Sequence, residues 1–496
     1  MSIAIFGDSR LLSLPPMSSF PSVPPPPPRR ASEDDRNPEF LRPAPRGGPW
    51  LVWALIVALA GAWMWLKEPE EPVAEDGAGK PSVVSMQTEL VGELTYAFVP
   101  AKGEELSADM ILMNARPLGE SPIWIDRVAW AILVGAIKDP ESGAAALDRV
   151  EVADDSPTPE LDAALLAAVR ERMPGLADPA AAAPFEADFT RLGWYGKLLT
   201  HEVVPRPGVV VMLIAYGGWF LGCFLLGLAV AVTLVVLAAM GRWTPRLASP
   251  VPAGRTYGET FAVWMACFLG LNILGGAIAG LMLGEEPSAT AEGNASLAVG
   301  IGSFLLSLVA LAWPGFRGVR AADVRSDLGL HFGAGFFRET LAGVLTYCLA
   351  LPLLAVGLVL YFVLVEIFGQ AEQPSHPAVE MIGGASWPKL LGLFALASIV
   401  APLVEEIAFR GLLYRHLRDE CGRLGLVASL AIAALVSSFL FAVIHPQGVL
   451  FAPALTGLAI AFCISRETRG SLWPAMVAHG INNAVTLSLA VTLLGG

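Results

Sequence analysis

The chain alternates long apolar stretches with short polar ones over most of its length. Apolar segments lie at 50–66, 208–240, 260–283, 297–314, 341–368, 389–409, 425–444, 449–464 and 472–493. Most of them reach the ~20 residues that a helix needs to cross a bilayer. The pattern therefore predicts an all-α polytopic membrane helix bundle with about nine transmembrane helices. The segment 208–240 would be ~50 Å long as one straight helix. It must tilt, protrude or break, and Gly217-Gly218 marks where a break would fall.

Outside these segments the polarity pattern changes twice. Residues 1–48 are rich in Pro and Ser, include the run Pro24 to Pro28, and read as a disordered, extended tail. The apolar stretch 49–66 follows as an N-terminal transmembrane anchor, with Trp50, Trp53, Trp63 and Trp65 where interfacial aromatic belts occur. Residues 67–206 have ordinary soluble composition, enough for one small extramembrane domain. Within it, Thr158-Pro159-Glu160 opens a helix that carries Leu161, Leu165 and Val169 and stops at Pro174-Gly175. Leu94 to Val99, rich in β-branched and aromatic residues, reads as a strand. Accessory transmembrane helices then occupy 207–368, and a last group of helices occupies 385–493.

Composition narrows the class. The 496 residues are 54% hydrophobic and 16% charged, which excludes an ordinary soluble protein. A net charge of -13 argues against a nucleic-acid partner, which would need a basic face. Four of the five cysteines lie in apolar stretches and Cys421 in a short basic loop, so no disulfide framework or CxxC metal pattern follows. No cleavable signal peptide is visible at the start, so the first apolar segment is expected to stay as an anchor.

Basic residues precede that anchor and the acids Glu68, Glu70, Glu71, Glu75 and Asp76 follow it, which predicts a cytoplasmic N-terminus. The later loops alternate in the same sense. Arg242, Arg246 and Arg255, then Arg317, Arg320, Arg325 and Arg338, then Arg415, Arg418 and Arg423, and last Arg466 and Arg469 mark one side. Glu285, Glu286 and Glu292 mark the other. This orientation fits a plasma (inner) membrane protein with 67–206 extracytoplasmic.

Ionisable groups at membrane depth are costly and point to function. Glu405-Glu406-x-x-x-Arg410, Phe441-x-x-x-His445 and His479-x-x-x-Asn483 all interrupt apolar segments. Glu406 and Arg410, four residues apart, share a helix face and can pair. Glu405 is rotated ~100° from Glu406 on a helix. It has no such partner and can point into a cavity as a general base. Read singly, the glutamates could equally snorkel to water at a helix end, His445 could end a helix, and His479 with Asn483 could bridge helices as packed polar residues. Together they can do more. A carboxylate and an imidazole can bind and deprotonate water, while a second imidazole and a carboxamide donate to an oxyanion. Of the six histidines, His445 and His479 are the two flanked by membrane-like sequence. His201, His331, His376 and His416 fall in predicted loops or at segment ends.

These three signatures, with the flanks Gly411 to Tyr414 of the first, resemble the motif set of the CPBP family of CAAX-processing and bacteriocin-processing intramembrane endopeptidases. The resemblance covers roughly the last quarter of the chain. It implies a protease in which Glu405 and His445 activate water, His479 and Asn483 stabilise the oxyanion, and Glu406 with Arg410 supports them. It further implies a membrane-associated or lipidated protein or peptide as substrate, within the lipid bilayer. No cofactor is favoured, because the residues lie on three segments without an HExxH. A bound divalent metal such as zinc would take Glu405, His445 and His479.

Depth sets a condition. If the span ended at Phe409, Glu405 and His445 would lie ~20 Å or more apart near opposite faces. They can meet only if one helix runs through 390–416 and carries Arg410 inside the bundle. Two other readings compete: a non-catalytic scaffold or immunity protein that keeps the motifs as polar packing, and a transporter, against which no inverted repeat is visible between the halves.

Overall fold

A computed structural model describes residues 49–65, 86–97, 108–121, 123–151, 159–176, 189–202, 207–247, 254–284, 287–368, 381–382 and 385–494. The tail 1–48 lies outside them, as do Thr158 and His376. All described residues fall in one compact unit, Pro45–Gly496. They are helical, with no strand among them.

The first apolar segment is helix α1, Pro49–Trp65. Five helices between residues 67 and 206 matter here: α2 (Met86–Ala97), α3 (Trp124–Ile137), α4 (Pro140–Leu147), α5 (Pro159–Arg172) and α6 (Trp194–Leu199). They pack around Val128, Ile132, Leu147, Val169 and Tyr195. Helix α5 matches the expectation drawn from Pro159, and a 3-10 turn, Met173–Leu176, ends it. The strand expected at 94–99 is not formed: its described part belongs to α2. The buried residues Thr88, Gly92 and Thr95 of α2 stand at helical spacing. Thr88 donates to Asp126 (2.8 Å) and Tyr195 donates to the Thr88 carbonyl (2.8 Å), so this buried face is built from small polar residues rather than apolar ones.

The membrane bundle follows: α7 (Pro207–Ala239), α8 (Gly254–Leu283), α9 (Ala289–Ser307), the short α10 (Ala321–Leu328), α11 (Phe336–Phe368), α12 (Trp387–Glu420), α13 (Leu426–Val443), α14 (Ala452–Arg469) and α15 (Trp473–Leu494). Among the described residues seven helical stretches are long and apolar enough to cross a membrane. Helix α1 has only the shorter apolar stretch Leu51–Met64, and α15 is 22 residues long but interrupted by its polar motif. Helix α7 is continuous through Gly217 and Gly218, so of the three alternatives for this long segment the break is not the one taken.

Helix α11 sits beside α14, α7 and α15, while α8 touches α1, α9 and the last turns of α12. Helix α1 packs against the other helices. Ile56 and Ala60 are buried in one apolar cluster with Phe261, Phe409 and Phe441. Trp53 faces His416 (ring centroids 5.9 Å) and Trp63 faces Phe268 (5.2 Å).

One end of the bundle gathers charge. The loop arginines of the sequence pattern are here in helices: Arg415 and Arg418 in α12, Arg466 and Arg469 in α14. Arg418 binds the Glu467 carboxylate and Ser429, and Tyr414 donates to the same carboxylate (3.0 Å). Arg469 makes a two-pronged pair with Glu339 at 2.7 and 3.0 Å. His416, expected at a segment end, is likewise buried within α12. Each cation is tolerated because an acid or a carbonyl answers it.

Candidate active site

Helix α12 runs past Arg410 to Glu420, as the depth condition requires, and Glu406 and Arg410 are fully buried. Its course is not uniform. Two π-helical turns, Leu396–Val400 and Ile407–Leu413, flank the α-helical Ala401–Glu406. Pro402 accounts for the first. The Ala401 N–H reaches back five residues to the Leu396 carbonyl, and Pro402 has no N–H to offer the next one. The Ala397 carbonyl takes its hydrogen bond from Asn483 Nδ2 at 2.8 Å. One step on, Gly480 packs against the Ser398 carbonyl, where a Cβ would stand 2.5 Å from that oxygen. Proline on α12 and glycine plus asparagine on α15 thus join the two helices at one level. His479, beside Gly480, is delivered to the glutamates.

The side chains then converge. Arg410 donates to Glu406 Oε1 at 2.9 Å and to the Ala459 carbonyl at 3.2 Å. Glu406 Oε1 also lies 2.9 Å from His479 Nδ1. The other nitrogen of that ring, Nε2, faces Glu405 Oε2 at 3.6 Å, and His445 Nε2 faces the same oxygen at 4.0 Å. His445 Nδ1 is held 2.6 Å from the Phe441 carbonyl, the local partner that the sequence did not reveal. Glu405, expected without a partner of its own, stands between two imidazoles.

Aromatic rings fix these groups. The Arg410 guanidinium lies over Phe441 at 4.6 Å and over Phe462 at 5.0 Å. Phe441 contacts the ring of His445 (centroids 4.2 Å) and meets His479 edge to face, while Phe462 stacks on His479 (5.4 Å). The first position of the Phe441-x-x-x-His445 motif is therefore a platform for three polar groups. Phe462 and the Ala459 and Ala397 carbonyls escaped the sequence reading. Nothing distinguishes an apolar side chain or a main-chain oxygen that meets a charge from one that meets lipid.

Glu405, Glu406, Arg410, His445 and His479 are thus brought together, with Glu405 and His445 only partly buried. Asn483 stands one turn from His479 on α15 and is tied to α12, with one N–H committed to Ala397 and its Oδ1 3.2 Å from Asn482 Nδ2. Among the described residues no group of three or more His, Cys, Asp or Glu side chains is disposed to hold a metal ion. Glu405, His445 and His479 form no such group. Hydrogen-bonded at Nδ1, each imidazole has Nε2 for Glu405, an arrangement suited to moving protons.

Residues 387–485 match the family model described as type II CAAX prenyl endopeptidase Rce1-like. The matched stretch contains every residue of this site. No curated protein and no solved structure matches the chain.

Proposed function

We propose, for a chain whose residues 387–485 match the Rce1-like model of type II CAAX prenyl endopeptidases, that it is a CPBP-type intramembrane endopeptidase in which Glu405 and His445 activate a water to cleave a peptide bond of a membrane-associated or lipidated protein. The observation that carries this reading is the convergence of His445 Nε2 and His479 Nε2 on one oxygen of Glu405, at 4.0 and 3.6 Å, inside a helix bundle.

A gap of 4.0 Å exceeds a direct hydrogen bond and suits a bridging water. With Nδ1–H donated to the Phe441 carbonyl, His445 presents a lone pair at Nε2 that accepts a hydrogen bond from one water hydrogen, which stays on the attacking oxygen. Glu405 takes the other as the water oxygen bonds to the scissile carbonyl carbon. The carbonyl electrons move onto the oxygen, and His479 donates to it from Nε2. That donation requires an imidazolium whose Nδ1–H rests on Glu406. The charges then balance, because Glu405 and Glu406 face Arg410 and His479, a neutral set suited to low dielectric. Asn483 has a second N–H beyond the one on Ala397, and this is its contribution to the oxyanion. Glu405 finally returns its proton to the leaving amine.

Purified Glu405→Ala and His445→Ala proteins should lose peptide cleavage while keeping wild-type thermal unfolding. Unchanged activity in both contradicts the assignment. Cleavage proceeds without a metal in this scheme, so a chelator should leave the rate unchanged; loss on chelation with recovery on adding zinc would contradict it. The arginines before 50–66 and the acids after it support an inner-membrane protein with its N-terminus cytoplasmic and 67–206 outside. A reporter enzyme fused within 67–206 and active only outside the cell tests that topology.

A further inference from the structure

The family match begins at residue 387, yet a residue of α1 reaches the turn that carries His445. Trp63 Nε1 donates to the Ile444 carbonyl at 2.7 Å. Helix α13 ends at Val443, and Pro446 has no N–H with which to extend it. Gly448 turns the chain away with φ +82°. Carbonyls at the end of α13 therefore draw partners from outside its helical ladder. The indole N–H answers the one directly before His445. On its other side His445 is held through Nδ1 by Phe441. Its ring is thus set from two directions, by its own helix and by α1.

Helix α1 is itself fixed. Ile56 and Ala60 are buried in the cluster that contains Phe409 and Phe441. Trp63 also meets Phe268, Phe268 stacks with Trp264, Trp264 meets Phe409, and Phe409 meets Phe441, with ring centroids 5.2 to 5.8 Å apart. A continuous aromatic path runs from α1 to the ring that touches both imidazoles.

We propose that Trp63 is a positioning residue for His445, so that the N-terminal helix is a working part of the catalytic unit. This rests on the hydrolytic reading of Glu405 and His445 given above. Replacing the indole N–H without changing shape loosens the turn and displaces the water-accepting nitrogen. Such displacement acts on the chemical step rather than on substrate capture.

The test compares wild-type protein with Trp63→Phe and with benzothienylalanine placed site-specifically at 63, which keeps the bicyclic shape and replaces N–H by sulfur. Val57→Ala on the exposed face of α1 is the control, since Val57 is 66% exposed. We expect both changes at 63 to lower kcat about tenfold or more, by displacement of a reacting group. KM should be nearly unchanged and the pH profile of kcat displaced, while Val57→Ala behaves as wild type. If Trp63→Phe fails to fold, the benzothienyl protein decides. Wild-type kcat and pH profile in that protein overturn the proposal. Glu405→Gln is assayed alongside: full activity there removes the hydrolytic reading itself, whereas an inactive Glu405→Gln with an unaffected position 63 removes only the role of Trp63.

Discussion

Glu406 and Glu405 are neighbours with opposite duties. Glu406 Oε1 serves both Arg410 and His479 at 2.9 Å in a fully buried setting, so its charge holds the site together. Glu406→Gln strands the Arg410 cation and should cost about 3–5 kcal/mol of stability, the penalty for breaking a buried pair from one side. Denaturant unfolding in lipid-detergent micelles measures it. Glu405→Gln should leave stability near wild type and abolish cleavage, because Glu405 faces two imidazoles at longer distance and is only partly buried. The motif letters alone cannot separate these roles. Spacing identified Arg410 as the partner of Glu406, since four residues on a helix share a face. That Glu406 also orients His479 depends on α15 arriving at one particular height, which no local pattern encodes.

At the scale of elements, that height is set by prolines and glycines. Pro402 frees carbonyls on α12, and Asn483 and Gly480 of α15 occupy the place. The same device recurs away from the site: Pro352 lies inside α11, and a Cβ on Gly227 of α7 would collide with the Cys348 carbonyl four residues before it. Gly480→Ala must push α15 off main-chain atoms, so it should lower kcat by separating His479 from Glu405, with the protein still folded. Gly276→Ala on α8, where a Cβ meets nothing within 4 Å, should be silent in the same assay. Outside the long apolar helices, Asp139 caps α4, accepting from the Ser142 N–H at 2.6 Å and its hydroxyl at 2.8 Å. Those bonds, the main-chain one first, hold its carboxyl below the usual carboxylate range. A lowered folded-state value means stability that is fully present at neutral pH and lost as pH falls through that value. Asp139→Ala should therefore lower the melting temperature at pH 7, and the difference from wild type should shrink in acid.

Long apolar helices were legible because lipid imposes a single demand, and the helix opened by Pro159 was legible from its first turn and its stop. Helix α2 was misread because its buried face is Thr88, Gly92 and Thr95, small residues whose helical spacing carries no hydrophobic signal, while its end is rich in strand-forming types. The buried arginines of α12 and α14 were equally hidden, since each depends on partners distant in sequence.

Over the whole molecule, the site is not confined to the helices that carry the motifs. Helix α1 borders it through Trp63, and α14 supplies Phe462 and the Ala459 carbonyl. The arginine-rich end locks α12 to α14 through Arg418 and Glu467. Arg418→Met should cost about 3–5 kcal/mol in unfolding experiments by leaving Glu467 buried with its charge only partly answered. The proposed mechanism has Glu405 act on water at a single site shared with both histidines. It is tested most directly by incubating purified wild-type and Glu405→Gln protein, in lipid nanodiscs, with solubilised membrane proteins and sequencing the new N-termini. The expected result is a set of cleavage products made by wild type and absent with Glu405→Gln. The same products formed at the same rate by Glu405→Gln would contradict it.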